Sequence, residues 1–187
     1  MTLYGMKIDP APLGPFNAEA WVRSRLRDAP TLQPVTLHAV AGFALIWNLF
    51  EGLVRDHRAN VAQFERVVGR IGYSAELENA INDCLAFYRF RYVADGAVNT
   101  RFYGLHLRPN DRRPHVEATL KGEIASPADK MLAILIIAYR IRNNLFHGLK
   151  SVHSWDDQAA NIAHAARVLS LAIEASGSYA VDRRNAI

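Results

Sequence analysis

The segment MLAILIIAYRIRNNLFHG, from Met131 to Gly148, places an apolar run directly before two arginines, two asparagines, a histidine and a glycine. A helix that is apolar on every side must be enclosed by other elements. Ser126 and Pro127 suit an N-cap and a first helical turn, and Gly148 suits a helix end. The sequence therefore predicts a buried helix from Ser126 to Gly148, around which the chain must fold.

Apolar residues at steps of three and four recur along most of the remaining chain, which predicts further helices. The segment from Val40 to Trp47 is apolar around almost its whole circumference, so its helix is also predicted to be central. Ser74 is predicted to cap a helix that ends before Asp95. The other predicted helices are Asn17 to about Asp28, Thr36 to about Asp56, Val61 to Ile71, and one that opens at Ser154.

These elements predict an all-α fold, a single-domain up-and-down bundle of five to six helices. Residues 1–35 are predicted to be a lead-in with one short helix, 36–180 the helical domain and 181–187 a tail. Residues 96–125 show no sustained helical period and carry glycines, prolines and an Asn-Asp pair. This segment is predicted to be a long loop, with a short hairpin around Pro109 to Arg113.

Composition excludes several classes of site. Cys84 is the only cysteine among 187 residues, so neither a disulfide nor a cysteine-based metal site can form within one chain. The histidines have no metal-ligand spacing, so neither a metal nor a cofactor is predicted. The apolar runs are shorter than the roughly 20 residues that cross a bilayer, so no membrane contact is predicted. The single cysteine suits a reducing cytoplasm, which is the predicted location. A net charge of +4 suits contact with a polyanion without requiring it.

The polar end of the buried helix needs an explanation. Cations are favourable near a helix C-terminus, so Arg140, Arg142 and His147 fit an ordinary helix end. Asn143 and Asn144 do not, because asparagine is a poor helix former and these two follow the most apolar segment of the chain. Such departures from local preference concentrate at functional sites.

The stretch Arg142-Asn143-Asn144-Leu145-Phe146-His147 resembles the motif of the HEPN superfamily, an arginine, a polar residue, three further residues and a histidine. It looks closest to the Apea-like HEPN branch, and the earlier helix with WNLFEG is similar as well. The resemblance covers about residues 37–175. It implies a homodimeric, metal-independent endoribonuclease that acts on RNA in toxin activity, abortive infection or antiphage defence. It assigns Arg142, His147 and Asn143 to the catalytic site.

The chemistry that the resemblance implies suits these side chains. Histidine can take a proton from a ribose 2′-hydroxyl and return one to the leaving 5′-oxygen. Arginine can stabilise the negative charge that builds up on the phosphate. On a regular helix, Asn143 and His147 share a stripe, whereas Arg142 lies roughly 140° from His147. Either the helix loosens at the asparagines, or two subunits combine their groups. The alternative is a helix cap with a degenerate or purely binding role.

Asn48 and Glu51 interrupt the apolar helix and share a face, being three residues apart. They are candidate supporting residues, together with Asn144, because a carboxylate on that helix can orient Arg142 or His147. Two interpretations of Glu51 stay open: this supporting role, or a pairing with Arg55 at an exposed edge.

Basic residues near the motif and in the segment 96–125 are candidate RNA contacts, since some of them alternate with Phe102 and Tyr103. A solvated loop is the favoured alternative for this segment. The candidates are Arg140, Lys150, Arg108, Arg112 and Arg113.

One position departs from the family pattern. In HEPN toxins whose antitoxin modifies a tyrosine two residues after the histidine, that tyrosine is essential to control, and here the position holds Leu149. Control by a separate antitoxin protein through another mechanism stays open, as does a stand-alone effector. The rival hypothesis is a non-catalytic HEPN-like module that binds RNA, a nucleotide or a protein partner.

Overall fold

The computed structural model describes residues 16–25, 32–53, 59–146 and 155–177. These residues are mostly helical, which confirms the all-α class. They contain eight helices, more than the five or six predicted. The elements are α1 (Ala18–Arg25), α2 (Pro34–Leu53), α3 (Val61–Val68), α4 (Ala75–Tyr92), β1 (Val93–Ala94), β2 (Ala97–Val98), α5 (Thr100–Tyr103), α6 (Arg113–Lys121), α7 (Pro127–Phe146) and α8 (Ala159–Ser176).

Helix α7 forms the centre of the described part of the chain. Every side chain from Met131 to Ala138 is buried, and α7 packs against α3, α4, α6 and α8. The Ser126 hydroxyl accepts a hydrogen bond from the backbone N–H of Asp129 at 3.1 Å, which caps the helix start. The predicted burial and N-terminus are confirmed, while Gly148 lies outside the described residues.

Helix α2 is not central, and that prediction is wrong. Its buried apolar side chains, Phe43, Trp47 and Phe50, lie on one face that packs towards α8 and α7. Leu45 and Leu49 point away from the core and are 63% and 40% exposed. The apolar sequence hid this asymmetry, because leucines occupy the outward positions as well as the inward ones.

One helix of the described residues is long and apolar enough to span a membrane by length and composition. This is Pro34–Gly52 in α2, with a mean hydropathy of 1.3 over 19 residues. The core helix of a soluble protein meets the same criterion. The finding therefore neither confirms nor contradicts the prediction of no membrane contact.

Helices α3 and α4 begin at side-chain caps. The side chain of Asn60 accepts a hydrogen bond from the Gln63 N–H at 3.1 Å, and the Ser74 hydroxyl accepts one from Leu77 N–H at 3.3 Å. The Ser74 cap was predicted and is confirmed. Helix α3 ends at Val68, earlier than the predicted Ile71. The buried face of α4 also matches the predicted period: Ile81, Cys84, Leu85, Tyr88 and Tyr92.

The segment 96–125 is folded, so the prediction of a long loop is wrong. It supplies β2, α5, a 3₁₀ turn at Pro109–Asp111, and α6. The hairpin lies earlier than predicted, where β1 pairs with β2 in antiparallel register. Each of these elements is short and covers only one or two core positions, which leaves no sustained period in the sequence. The buried apolar residues here are Phe102, Leu105, Val116 and Leu120.

The two ends of the described chain differ in burial. Helix α1 has no buried residue. Helix α8 begins at Ala159 after a 3₁₀ turn at Asp156–Gln158, and the predicted start at Ser154 lies outside the described residues. The buried residues of α8 include Ile162, Leu169 and Ile173.

A buried ion pair ties the folded segment to α7. Arg140 is only 2% exposed; its Nε donates to the Leu105 carbonyl at 3.1 Å, and a guanidinium nitrogen lies 3.5 Å from an Asp111 carboxylate oxygen. The same oxygen accepts the Arg108 N–H at 2.7 Å. Burial lowers the pKa of Arg140 and Asp111 opposes that shift. Because Arg140 lies in the interior, it has no exposed face for the RNA contact that was predicted for it.

We expect Asp111→Ala to destabilise the fold by about 3 kcal/mol, because it leaves a buried guanidinium without its counter-charge. Glu19→Ala is the matched control, since it removes the exposed ion pair with Arg23 and should cost less than about 1 kcal/mol. Urea denaturation measures both free energies of unfolding. Asp111→Asn keeps an oxygen for the Arg108 N–H and separates the lost charge from the lost cap. If Asp111→Ala and Glu19→Ala lowered the free energy of unfolding equally, the buried Arg140–Asp111 pair would stabilise the fold no more than the exposed Glu19–Arg23 pair does.

Candidate functional site

Arg142, the first residue of the motif, lies four residues before the end of α7 and is partly exposed. Its guanidinium carbon lies 5.4 Å from the ring centre of Trp47 and 5.7 Å from that of Phe146. It donates to the side-chain oxygen of Asn143 at 3.2 Å. The Nε atom is buried without a hydrogen-bond partner. Two aromatic rings and one amide thus hold a guanidinium that keeps some exposure.

The rings around Arg142 belong to the contact between α2 and α7. Phe43 stacks on Phe146 with ring centres 6.3 Å apart, and Trp47 stacks on Tyr139 at 6.2 Å. Trp47 is 4% exposed, whereas Phe146 is 46% exposed. A cation over an aromatic face is stabilised electrostatically. The buried face of α2 therefore sets the position of the Arg142 side chain.

The two asparagines of the motif are both buried, and they have different partners. Asn143, 6% exposed, accepts the hydrogen bond from Arg142. Asn144, 4% exposed, donates from its amide nitrogen to the carbonyls of Gly104 and Leu105 at 3.1 and 3.3 Å. Positions 142 and 144 lie about 160° apart around a regular helix. The motif is thus divided between opposite faces of α7.

Of the other residues of the predicted site, some lie outside the described part of the chain and some lie on α2. His147 and Lys150 lie outside the described residues. Asn48 is exposed and Glu51 is half-buried on α2. Among the described residues Glu51 forms no ion pair with Arg142; Arg55, its alternative partner, is not among them.

The predicted RNA-contact arginines of the segment 96–125 are exposed. Arg112 forms an ion pair with Glu65 at 2.6 Å. The Arg113 guanidinium lies over Tyr103 and Phe102, at 5.0 and 5.8 Å from the ring centres. Arg108 donates its backbone N–H to Asp111. Arg112 and Arg113 therefore already have partners within the chain, and Arg108 keeps an exposed side chain.

A pocket that sequence reasoning missed lies on the Asn144 side of α7. Its volume is about 380 Å³, and α4, α5, α7 and α8 with the turn before it supply its walls. On one wall the Tyr92 hydroxyl donates to the Asn161 side-chain oxygen at 3.1 Å. Burial raises the pKa of Tyr92, so its phenol stays protonated and keeps donating. One signal was present in the sequence: the polar Asn161 directly precedes the apolar Ile162, and α8 buries both residues.

The chain matches no protein family model, no curated protein and no solved structure. The described residues also contain no group of three or more His, Cys, Asp or Glu side chains that could hold a metal ion. The geometry of the chain itself therefore has to support any functional proposal.

We expect Trp47 and Arg142 to be energetically coupled by about 0.5–1 kcal/mol, the range of a partly exposed cation over a ring. A double-mutant cycle of Trp47→Leu with Arg142→Met, read as free energies of unfolding, measures this coupling. The control cycle combines Trp47→Leu with Arg89→Met, because Arg89 binds the carbonyls of Thr119 and Leu120 instead. The control should be additive within about 0.5 kcal/mol. Additivity in both cycles would refute the coupling between Trp47 and Arg142.

Proposed function

We propose that the chain is a homodimeric, metal-independent endoribonuclease of HEPN type that acts in RNA restriction, as a toxin or in abortive infection or antiphage defence. The observation that carries the proposal is the placement of Arg142. A partly exposed guanidinium is fixed by Trp47 and Asn143 at the end of the most buried helix. A pre-positioned cation is what stabilisation of a phosphate transition state requires.

In the proposed reaction the phosphodiester is cleaved by its own ribose. The His147 imidazole takes the proton from the 2′-hydroxyl, and the 2′-oxygen forms a bond to phosphorus. The bond from phosphorus to the 5′-oxygen then breaks, and that oxygen receives a proton from an imidazolium. Arg142 stabilises the added negative charge on the phosphate. The products are a 2′,3′-cyclic phosphate and a 5′-hydroxyl, so the reaction consumes neither water nor a metal.

Apolar surface on α2 supports the proposed dimer. Leu45 and Leu49 are exposed on the helix that holds Arg142 through Trp47, and Phe146 is exposed beside Arg142. Clustered exposed apolar side chains are typical of protein interfaces. A second copy packed here would bring two motifs together, which is how groups about 140° apart on one helix can act on one phosphate.

A second candidate function is a non-catalytic HEPN-like module that binds RNA, a nucleotide or a protein partner. The observation that favours it is that Arg142, Asn143 and Asn144 all make contacts within the chain. Arg142 contacts two rings and Asn143, Asn144 binds backbone carbonyls, and no Glu51 ion pair orients Arg142 among the described residues. In such a module Arg142 would stabilise the contact between α2 and α7 instead of acting on a phosphate.

The ribonuclease proposal predicts cleavage of a labelled single-stranded RNA in EDTA by the wild-type protein, with products that end in 2′,3′-cyclic phosphate. Arg142→Ala and His147→Ala should each lower the rate at least about 100-fold, because each removes a group that acts in the transition state. Arg70→Ala, which removes an exposed arginine in the turn after α3, should cleave at the wild-type rate. Folded, dimeric and equally inactive proteins would instead support the non-catalytic module.

The dimer has its own test in the double variant Leu45→Glu with Leu49→Glu. Both side chains are exposed, so we expect the helical circular dichroism to persist while sedimentation shows a monomer that has lost RNA cleavage. Phe90→Glu is the matched control, since Phe90 on α4 is 87% exposed. Dissociation by Phe90→Glu and not by the leucine pair would place the interface on another face.

A further inference from the structure

The pocket beside Asn144 lies on a different face of α7 from Arg142. Neither Arg142 nor Asn143 lines it, although both are neighbours of Asn144 in the chain. Its volume of about 380 Å³ lies in the range of small-molecule sites, which is roughly 300–1,000 Å³. Its lining mixes amides, arginines and aromatic rings with a few aliphatic side chains. The pocket therefore has the size and the polar groups of a specific binding site.

Two amides of the lining have hydrogen-bonding capacity left. Asn144 uses its amide nitrogen on the carbonyls of Gly104 and Leu105, and its side-chain oxygen is buried without a partner. Gln158 accepts from the Asn161 amide at 3.0 Å, and its own NH₂ group forms no hydrogen bond among the described residues. The walls thus carry one unused acceptor and one unused donor. Every nucleobase presents a donor next to an acceptor on its Watson–Crick edge, so this combination suits a base.

The indole of Trp155 supplies a flat wall for a planar ring. It is half-buried, and its Nε1 is buried without a partner. Leu105 and Ile141 add apolar lining. Proteins bind unpaired bases by stacking on aromatic rings and by hydrogen bonds to the base edge.

Two arginines give the pocket an attraction for anions. Arg101 is exposed on α5, and Arg91 donates to the Asp157 backbone carbonyl at 3.2 Å with its Nε buried and unpaired. Asp157 also lines the pocket, so the side chains of these three residues together carry a net charge of +1. Arginine is well suited to bind a phosphate group.

We propose that this pocket binds a nucleoside monophosphate, either as a free nucleotide or as one nucleotide of an RNA strand. The base lies between Trp155 and the amides of Asn144 and Gln158, and the phosphate lies at Arg101 and Arg91. The inference does not rest on the proposed ribonuclease activity, because it uses neither Arg142 nor His147.

Isothermal titration with AMP, GMP, CMP and UMP tests the free nucleotide, with adenosine and inorganic phosphate as partial ligands. Arg101→Ala should weaken nucleotide binding at least about tenfold, because a charge-assisted hydrogen bond contributes more than the free energy of a tenfold change. The same variant should leave adenosine binding unchanged, because adenosine has no phosphate. Gln158→Ala should weaken both, because it removes a base contact. Arg70→Ala, an exposed arginine outside the pocket, should bind like the wild type.

An eight-nucleotide RNA, titrated into Arg142→Ala protein to prevent cleavage, tests the other source. If mononucleotides fail to bind while Arg101→Ala and Gln158→Ala each weaken RNA binding more than Arg70→Ala does, the ligand is a nucleotide within RNA. If the pocket variants affect neither mononucleotides nor RNA, or affect them no more than Arg70→Ala, the proposal is overturned. Loss of RNA cleavage in Arg142→Ala bears only on the ribonuclease, so the two proposals fail independently.

Discussion

The burial of the middle of α7, where every side chain from Met131 to Ala138 is enclosed, is the constraint on which the rest of the structure depends. A helix enclosed on all sides needs partners for every polar side chain that it carries inward. Arg140 and Asn144, one turn apart, both donate to the carbonyl of Leu105. Asp111 supplies the counter-charge of Arg140. These contacts draw the segment 96–125 onto α7, which explains why a stretch without helical period is folded.

The same constraint divides the motif between two environments. Arg142 faces the aromatic rings of α2 and α7, while Asn144 faces the pocket on the other side of the helix. The departure from helix preference at Asn144 thus has a structural cause, namely the carbonyls that it satisfies. Its side-chain oxygen remains without a hydrogen-bond partner. Asn143 has a different task, since it holds the guanidinium that the proposed chemistry needs.

The one-sided packing of α2 links the position of Arg142 to the outer surface. Trp47 faces inward and holds the arginine, while Leu45 and Leu49 on the same helix face outward. A partner that covers Leu45 and Leu49 would contact α2, the helix whose Trp47 holds the Arg142 guanidinium. In the proposed dimer, assembly and the position of Arg142 would therefore be coupled through α2.

The sequence by itself determined the helical class, the burial of α7, its cap at Ser126 and the cap of α4 at Ser74, because each depends on residues within one or two helical turns. It also singled out Arg142 and Asn143 as candidate site residues. Only the tertiary structure decided that α2 is peripheral, that Arg140 is buried and that a pocket lies beside Asn144. The partners that settle these points are remote in the chain, as Leu105 is from Asn144 by 39 positions. Local patterns encode local hydrogen bonds and helical faces, whereas the partner of a buried polar group depends on how distant elements pack.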